Sequence, residues 1–378
     1  MKVLLLGGTG AMGKHLVSIL DKSGSDEIFV TSRKSHNNHG QVSYLMGNAH
    51  DITFLKLILS DKYDVIVDFM YYTVTEFKER VDILLENTSQ YICISSARVY
   101  ADTKSPIIEI SPRLTEVIND PEYFEAKEYS QQKCMAEDVL TQSRHRNWTI
   151  IRPYITYSEE RLQLGIYELK DWFYRVQNKR TIQIAACIAN AKTTLTYGYD
   201  VASGIAAIIG KGSALGEIFH ITGNDTITWR EVLEIYLDEI AKLTGDKPKF
   251  IITKKDIFSS VQMSDIQVKY DRCYNREFDN TKINKYIDTS TFVKPENGIR
   301  ACIRAWLSAP RTLYPDWWRQ VLIDRMTNEK AFRKEFKTSS EYENYTRVLN
   351  DRLFVLKQSY YNVRKFVKKL LSQILKSK

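Results

Sequence analysis

The feature that most constrains this chain lies near its start, where the largely apolar run Lys2–Leu6 stops at Gly7-Gly8-Thr9-Gly10-Ala11-Met12-Gly13. A short continuous apolar run that ends in glycine reads as a buried strand. Beyond the glycines, Leu16, Ile19 and Leu20 share one face of a helix. A strand that turns tightly into a helix aims several backbone N–H groups, and the positive end of the helix dipole, at one point. A pyrophosphate fits there only if no side chain stands in the way. Gly7 would permit the turn, Gly10 the close approach, and Gly13 the packing of helix on strand, with the backbone of Ala11 and Met12 completing the cradle. A dinucleotide site is expected.

The second strand, Glu27–Thr31, bears on which dinucleotide. It leads into Ser32-Arg33-Lys34, where an NAD site would place an acid on the adenosine ribose 2′-hydroxyl. A hydroxyl and two cations stand there instead, and Ser32 and Arg33 suit a 2′-phosphate. NADP is therefore the expected cofactor, with NAD as the alternative. After the strand Val42–Met46, Asn48 and Asp51 could face the adenine or serve as ordinary turn residues.

Tyr63–Phe69 and Gln90–Ile94 read as two further buried strands alternating with helices, which implies a parallel sheet with ligands at the carboxyl ends of its strands. Ser95 and Ser96 stand at such an end. Further on, Tyr129 and Lys133 share a helix face at i and i+4. The chemistry needs that pairing: a phenol, with a pKa of about 10, is a poor base at neutral pH, and a neighbouring cation favours its ionised form. Tyr129 could then exchange a proton with a substrate oxygen while hydride moves to or from a nicotinamide. Lys133 would also bind the nicotinamide ribose, and Ser96 would hold the reacting oxygen. Tyr123 and Lys127 have the same spacing. Because Lys133–Leu140 continues as one amphipathic helix and Pro121 starts a loop or a helix, the later pair is preferred.

These motifs resemble the extended short-chain dehydrogenase/reductase family over roughly residues 1–310. Gly7–Gly13 is similar to GGTGxxG, Ile94–Tyr100 to SSAxVYG, Tyr129–Leu140 to YxxxKxxxExxL, and Arg152–Tyr157 to RPxxxYG. Thr196–Ala202 and Gly216–Glu231 resemble later segments of the same family. The resemblance implies catalysis by Ser96, Tyr129 and Lys133, and puts Arg152 beside the nicotinamide. It also implies a nucleotide-linked sugar as substrate and a homodimer. Three departures stand out: Tyr71-Tyr72 replace small residues after the fourth strand, Tyr197-Gly198 replace a customary His, and Phe278–Lys282 resembles a branch that includes chloroplast stem-loop RNA-binding proteins.

The expected fold is α/β: a Rossmann-type doubly wound parallel sheet over residues 1–151, completed by later segments. A smaller α/β substrate lobe would follow over 152–310, then a helical C-terminal extension over 311–378. The expected reaction is ketoreduction of a nucleotide-linked sugar. The alternatives are an epimerase or dehydratase that keeps NAD bound, and a non-catalytic nucleotide- or RNA-binding protein on the same fold.

Composition supports a folded chain, with 43% hydrophobic and 26% charged residues among 378. The five cysteines form no CxxC pair, which argues for a reducing compartment, against a disulfide framework and against a metal site. No signal peptide and no run of about 18 apolar residues is evident, so a cytoplasmic location is expected. Eight of the 54 basic residues lie in 352–378, which holds no acidic one, so the other 46 balance the 46 acidic residues. A neutral body argues against nucleic acid. In the tail Val363, Phe366, Val367, Leu370, Leu371 and Ile374 recur at helical spacing opposite lysines. Such a helix would dock on the body or a second subunit, or make peripheral contact with an anionic membrane.

Overall fold

The computed structural model describes residues 1–258, 265–354, 356, 357 and 360. The tail pattern from Val363 to Ile374 lies outside them. The five expected strands become β1 (Lys2–Leu6), β2 (Glu27–Ser32), β3 (Val42–Met46), β4 (Tyr63–Asp68) and β5 (Thr88–Ile94), and two more join them, β6 (Trp148–Pro153) and β7 (Glu217–Ile221). They form one sheet in the order β7-β6-β5-β4-β1-β2-β3, with every pair parallel.

Each face of that sheet is covered by helices, which is why Val3–Leu6 of β1 and Val65–Val67 of β4 are unbroken apolar runs. Val3 and Leu5 join one core with Leu16, Val17 and Leu20 of α1 (Gly13–Ser23) and with a later helix, Gly198–Ile208. Leu4 and Leu6 point the other way, to Leu55 of α2 (Ile52–Ile58) and Phe77, Val81 and Leu84 of α3 (Val74–Glu86). Ala136 and Leu140 of α4 (Tyr129–Thr141) complete that second core. Successive side chains of a strand face opposite sides, so four consecutive apolar residues serve two cores.

The strand order reverses beside β1, which has β2 on one flank and β4 on the other, with Leu6 in register with Asp68. Loops leaving β1 and β4 therefore diverge and open a crevice at the carboxyl end of the sheet.

The chain divides into two units differently from the three expected segments. The first comprises Met1–Leu162, Lys192–Ile227 and Asn275–Cys302, because β6 continues past residue 151 and β7 comes from the later part of the chain. The second gathers Gln163–Ala191, Thr228–Tyr274 and the chain from Ile303 on, so the extension belongs with the lobe. It contains α5 (Leu169–Gln177), a parallel strand pair (Ile182–Ala185 with Phe250–Thr253), α6 (Trp229–Thr244), α7 (Trp317–Thr327) and α8 (Ser339–Asn350).

Arg175 explains why the extension is not a separate body. Its guanidinium, fully buried on α5, donates to Gln320 at 2.9 Å and pairs with Asp324 at 2.9 Å and Glu329 at 2.8 Å. Removing such a buried charge from its partners would be costly. Trp172, Phe173 and Tyr174 are core, as expected, and Trp172 stacks on Tyr236 of α6 at 4.3 Å.

One expectation is corrected here: Cys187 and Cys273, 86 residues apart, form a disulfide within the second unit, while Cys93, Cys134 and Cys302 are free and buried. The packing of Ala186–Asn190 against Val268–Arg272 brings them together, and no local spacing could reveal that. Among the described residues, no helix is long and apolar enough to cross a membrane.

Candidate active site

The three glycines divide their work as their spacing implies. Gly7 adopts φ +70°, the left-handed region in which a side chain is strained, and its N–H donates to Thr31 Oγ1 at 2.9 Å. A Cβ on Gly13 would lie 2.5 Å from the carbonyl oxygen of Gly8, so α1 rests directly on the turn. A Cβ on Gly10 would meet nothing nearer than the Gly7 oxygen at 4.0 Å. Gly10 thus keeps a clear approach to the N-terminus of α1, where no side chain caps the helix at Met12. Ala11 and Met12 form the rest of that edge and are partly exposed.

On the adenosine side the sequence residues separate. Arg33 is exposed just beyond β2. Ser32 is buried and its hydroxyl is already occupied, by the Lys34 N–H at 3.1 Å and by His36 Nε2 at 3.0 Å. It is therefore a turn-forming residue as placed. Asn48 is exposed and accepts from the His50 N–H at 3.2 Å, while Asp51 caps α2 by accepting from Thr53 at 2.8 Å. Both fulfil the turn alternative.

The catalytic candidates converge on the carboxyl end of β5. Lys133, one turn into α4, donates to the carbonyl of Ile94 at 2.7 Å, and its ammonium lies 5.8 Å from the ring centroid of Tyr129. Ser96 is the second residue beyond β5, buried, its Oγ accepting from the Arg98 N–H at 3.2 Å. Tyr129 is half-buried at the first position of α4, and its ring stacks on Tyr71 with centroids 5.3 Å apart. The rival pair falls away: Tyr123 is fully buried with its hydroxyl 3.1 Å from Ser130 Oγ, and Lys127 is exposed in a positive-φ turn at +47°.

Sequence reasoning assigned no role to four contributors. Arg98 lies 5.4 Å from the Tyr129 ring and pairs with Glu128, which caps α4 by accepting from Ser130 N at 2.6 Å. A second cation is thereby fixed beside the phenol. Tyr71 covers one face of that phenol, and its own hydroxyl is pushed up by burial. Asp68, fully buried at the end of β4, accepts from Tyr91 at 2.8 Å and from the Met70 N–H at 2.9 Å. Burial drives its carboxyl up to about 6 against those hydrogen bonds and the charges of Lys133 and Arg80. Glu137, the fourth, sits one helical turn beyond Lys133, and that i, i+4 spacing was the available signal.

Glu137 also corrects the role expected of Arg152. The two form a buried bidentate pair, Nε to Oε1 at 2.9 Å and Nη2 to Oε2 at 2.6 Å, and Nη1 donates to the carbonyl of Glu109 at 3.0 Å. With its guanidinium so engaged and 2% exposed, Arg152 ties β6 to α4 rather than reaching a cofactor. Ser95 Oγ donates to the same Glu137 carboxylate at 2.5 Å. The pair therefore fixes α4, and with it Tyr129 and Lys133, against the ends of two strands. Among the described residues, no group of three or more His, Cys, Asp or Glu could hold a metal ion.

No family model matches the chain. It is 28% identical over 244 residues to the chloroplast stem-loop binding protein of 41 kDa b from Arabidopsis thaliana, a match that spans 60% of each protein. It is 23% identical over 278 residues to the mitochondrial NADH dehydrogenase [ubiquinone] 1 alpha subcomplex subunit 9 of Dictyostelium discoideum, covering 65% of this chain and 68% of that one. Among solved structures it is similar to an epimerase of Methanothermobacter thermautotrophicus, with TM-score 0.64 and 15% identity over 81% of this chain and 92% of the other. It is also similar to the UDP-glucuronic acid 4-epimerase of Bacillus cereus in complex with UDP-glucuronic acid and NAD, with TM-score 0.61 and 16% identity over 82% and 99%. The dTDP-glucose 4,6-dehydratase of Bacillus anthracis in complex with NAD gives TM-score 0.59 and 15% identity over 82% and 97%. Strand order, glycine turn and these likenesses agree: the chain has the fold of the extended short-chain dehydrogenase/reductase family.

Proposed function

We propose that this chain binds NAD in the crevice outside β1 and β4 and acts on a nucleotide-linked sugar as an epimerase or dehydratase. The observation that carries the reading is the convergence of Tyr129, Lys133 and Ser96 at the end of β5, on the sheet that also bears the glycine turn. The open approach at Gly10 fits a pyrophosphate, and the uncapped N-terminus of α1 supplies the positive end of a helix dipole. The solved structures of similar fold that hold NAD favour that cofactor. The expectation of NADP rested on the acid missing after β2 and on Ser32 and Arg33, and the Ser32 hydroxyl is engaged by Lys34 and His36.

NAD, when bound, would supply the hydride acceptor. Tyr129 would take the proton from a substrate hydroxyl, with the charges of Lys133 and Arg98 beside the phenol. Ser96 would hold the same oxygen. Glu137 and Arg152, buried beneath, would keep α4 from moving as charge develops.

A second reading, a non-catalytic protein on the same fold, draws on the end of β4. Met70 Sδ lies 2.7 Å from where a Cβ on Gly7 would stand, and Tyr71 covers Tyr129. Bulky groups there would narrow the nicotinamide half of a dinucleotide site.

Denaturing the purified protein and identifying any released dinucleotide by mass spectrometry, alongside NADH and NADPH titration, separates these readings. Tightly held NAD supports the epimerase or dehydratase, and NADPH bound over NADH restores the reductase. No uptake of any dinucleotide leaves the non-catalytic reading. With a turned-over nucleotide sugar in hand, Tyr129→Phe should abolish turnover while sparing cofactor affinity.

A further inference from the structure

Accessible sulfur in this chain is concentrated at one place. Cys93, Cys134 and Cys302 are buried thiols, and burial pushes each of them up to about 12. A thiol so placed is protonated at neutral pH, and the thiolate is the form that attacks a disulfide. The Cys187–Cys273 cystine differs in access. Cys187 is exposed on the short helix Ala186–Asn190, and Cys273 is half-buried where the helical turn Val268–Arg272 ends. One sulfur is therefore open to a reagent while the other is partly screened.

Neither segment needs the cystine to stay in place. Ile188, Ala189 and Val268 are buried, and the Arg272 guanidinium donates to the Gly165 carbonyl at 2.9 Å and lies over the Trp229 ring. These contacts do not pass through sulfur, so two free thiols would stay adjacent. Their Cα atoms are 5.2 Å apart, inside the span of about 4.4–6.8 Å that a disulfide bridges. A pair held together by its surroundings can open and close without global unfolding. Opening also has a consequence, because each cysteine stands shortly before a point where the chain leaves the second unit, at Ala191 and at Tyr274. Reduction removes a covalent tie between those two stretches.

We propose that Cys187–Cys273 is a thiol–disulfide exchange site for small thiols of the glutathione class, entered at Cys187, and that its opening loosens both stretches. A glutathione thiolate attacks Cys187 Sγ, the bond to Cys273 breaks, and Cys273 leaves as a thiolate that takes up a proton. A second glutathione thiolate attacks the glutathione sulfur of that mixed disulfide, releasing Cys187 and oxidised glutathione. Two electrons pass from two thiols to the cystine, and the reverse sequence closes it. The dinucleotide reading is not needed for this, so either can fail alone.

The test follows native full-length protein in excess reduced glutathione, with samples trapped by iodoacetamide and the cysteine peptides read by mass spectrometry. Cys187 and Cys273 should become labelled by way of a glutathione adduct on Cys187, while Cys93, Cys134 and Cys302 stay unlabelled. The native rate should lie within about ten-fold of the rate in urea, because attack at an exposed sulfur needs no unfolding. In the reduced protein, deuterium exchange should rise at least about two-fold in peptides covering 186–191 and 265–274 and stay level in β1 and β4. Cys273→Ser should take up glutathione from oxidised glutathione at Cys187 faster than Cys187→Ser does at Cys273. Reduction confined to urea, or labelling of all five cysteines together, overturns the proposal. So do unchanged exchange in both peptides, equal uptake by the two variants, and native thiols at 187 and 273 that oxidised glutathione fails to join.

Discussion

Gly13→Ala and Gly10→Ala are chemically identical changes three residues apart in one turn, and the structure requires them to behave differently. At Gly13 the added methyl would lie 2.5 Å, 2.6 Å and 2.7 Å from the oxygen, carbon and Cα of Gly8. Those are backbone atoms, and the shortfall is about 1 Å from ordinary contact. Either α1 lifts away from β1 or the turn deforms. Overpacking of this kind costs about 1–3 kcal/mol, against which the variant recovers at most about 1 kcal/mol of backbone entropy. The expected net loss is roughly 1–2 kcal/mol of stability, and the deformed cradle should also lose NAD. At Gly10 the methyl finds nothing within contact distance in the protein. Its stability should stay within about 0.5 kcal/mol of wild type, while NAD affinity falls at least about ten-fold, a cost of about 1.4 kcal/mol.

Denaturant unfolding and NAD titration on the three proteins read both quantities. A Gly13→Ala protein as stable as wild type would refute the packing argument. A stable Gly10→Ala protein that binds NAD normally would refute the claim that the pyrophosphate passes over Gly10, whatever happens at Gly13.

Other consequences follow from the buried groups. Glu137→Gln leaves Arg152 charged and buried, which should cost about 3–5 kcal/mol in unfolding free energy; a loss under about 1 kcal/mol in urea titration would mean that water reaches the pair. Asp68 titrates at about 6 in the folded protein, above its usual value of 3.8. A raised carboxyl contributes most below pH 4, and that contribution disappears as pH rises through 6, by about 3 kcal/mol. Wild type should therefore lose stability relative to Asp68→Asn between pH 4.5 and pH 7.5, and a pH-independent difference between the two would contradict the assignment. Tyr71→Ala removes the ring stacked on Tyr129; NAD affinity should rise if Tyr71 narrows the site and stay level if it does not, as fluorescence titration would report.

The parts of this molecule that sequence made legible are those governed by near neighbours in the chain. The apolar run of β1 ends where the structure ends it, because burial on both faces leaves a continuous signal. Tyr129 and Lys133 could be paired because one helical turn is a fixed geometry. The illegible parts depend on residues far apart. Ser95 and Ser96 look equivalent as text, yet one hydroxyl bonds the Glu137 carboxylate and the other caps the turn of Arg98. Arg152 was placed by resemblance beside a nicotinamide, while its partner on α4 holds it underneath. The extension read as an appendage because nothing in its own sequence announces Arg175, more than 140 residues earlier.

The end of β4 is where catalytic and non-catalytic readings part, and its physics is specific. The turn at Gly7 forbids a side chain there partly because the Met70 thioether already fills that space. Met is the most adaptable of the apolar side chains, with three rotatable bonds and no directional demand, so a bound dinucleotide could displace it at modest cost. Tyr71 is harder to move, because leaving Tyr129 forfeits an aromatic contact worth about 0.5–1.5 kcal/mol. That is within what a cofactor with a micromolar Kd can spare, since such binding amounts to about 8 kcal/mol. If NAD binds as proposed, the large residues after β4 would weaken that binding without abolishing it, with Lys133 and Tyr129 still adjacent. On this reasoning a weak but measurable NAD affinity that strengthens in Tyr71→Ala is the signature of a catalytic site partly closed by its own strand end. Affinity absent in both proteins is the signature of a fold turned to another use.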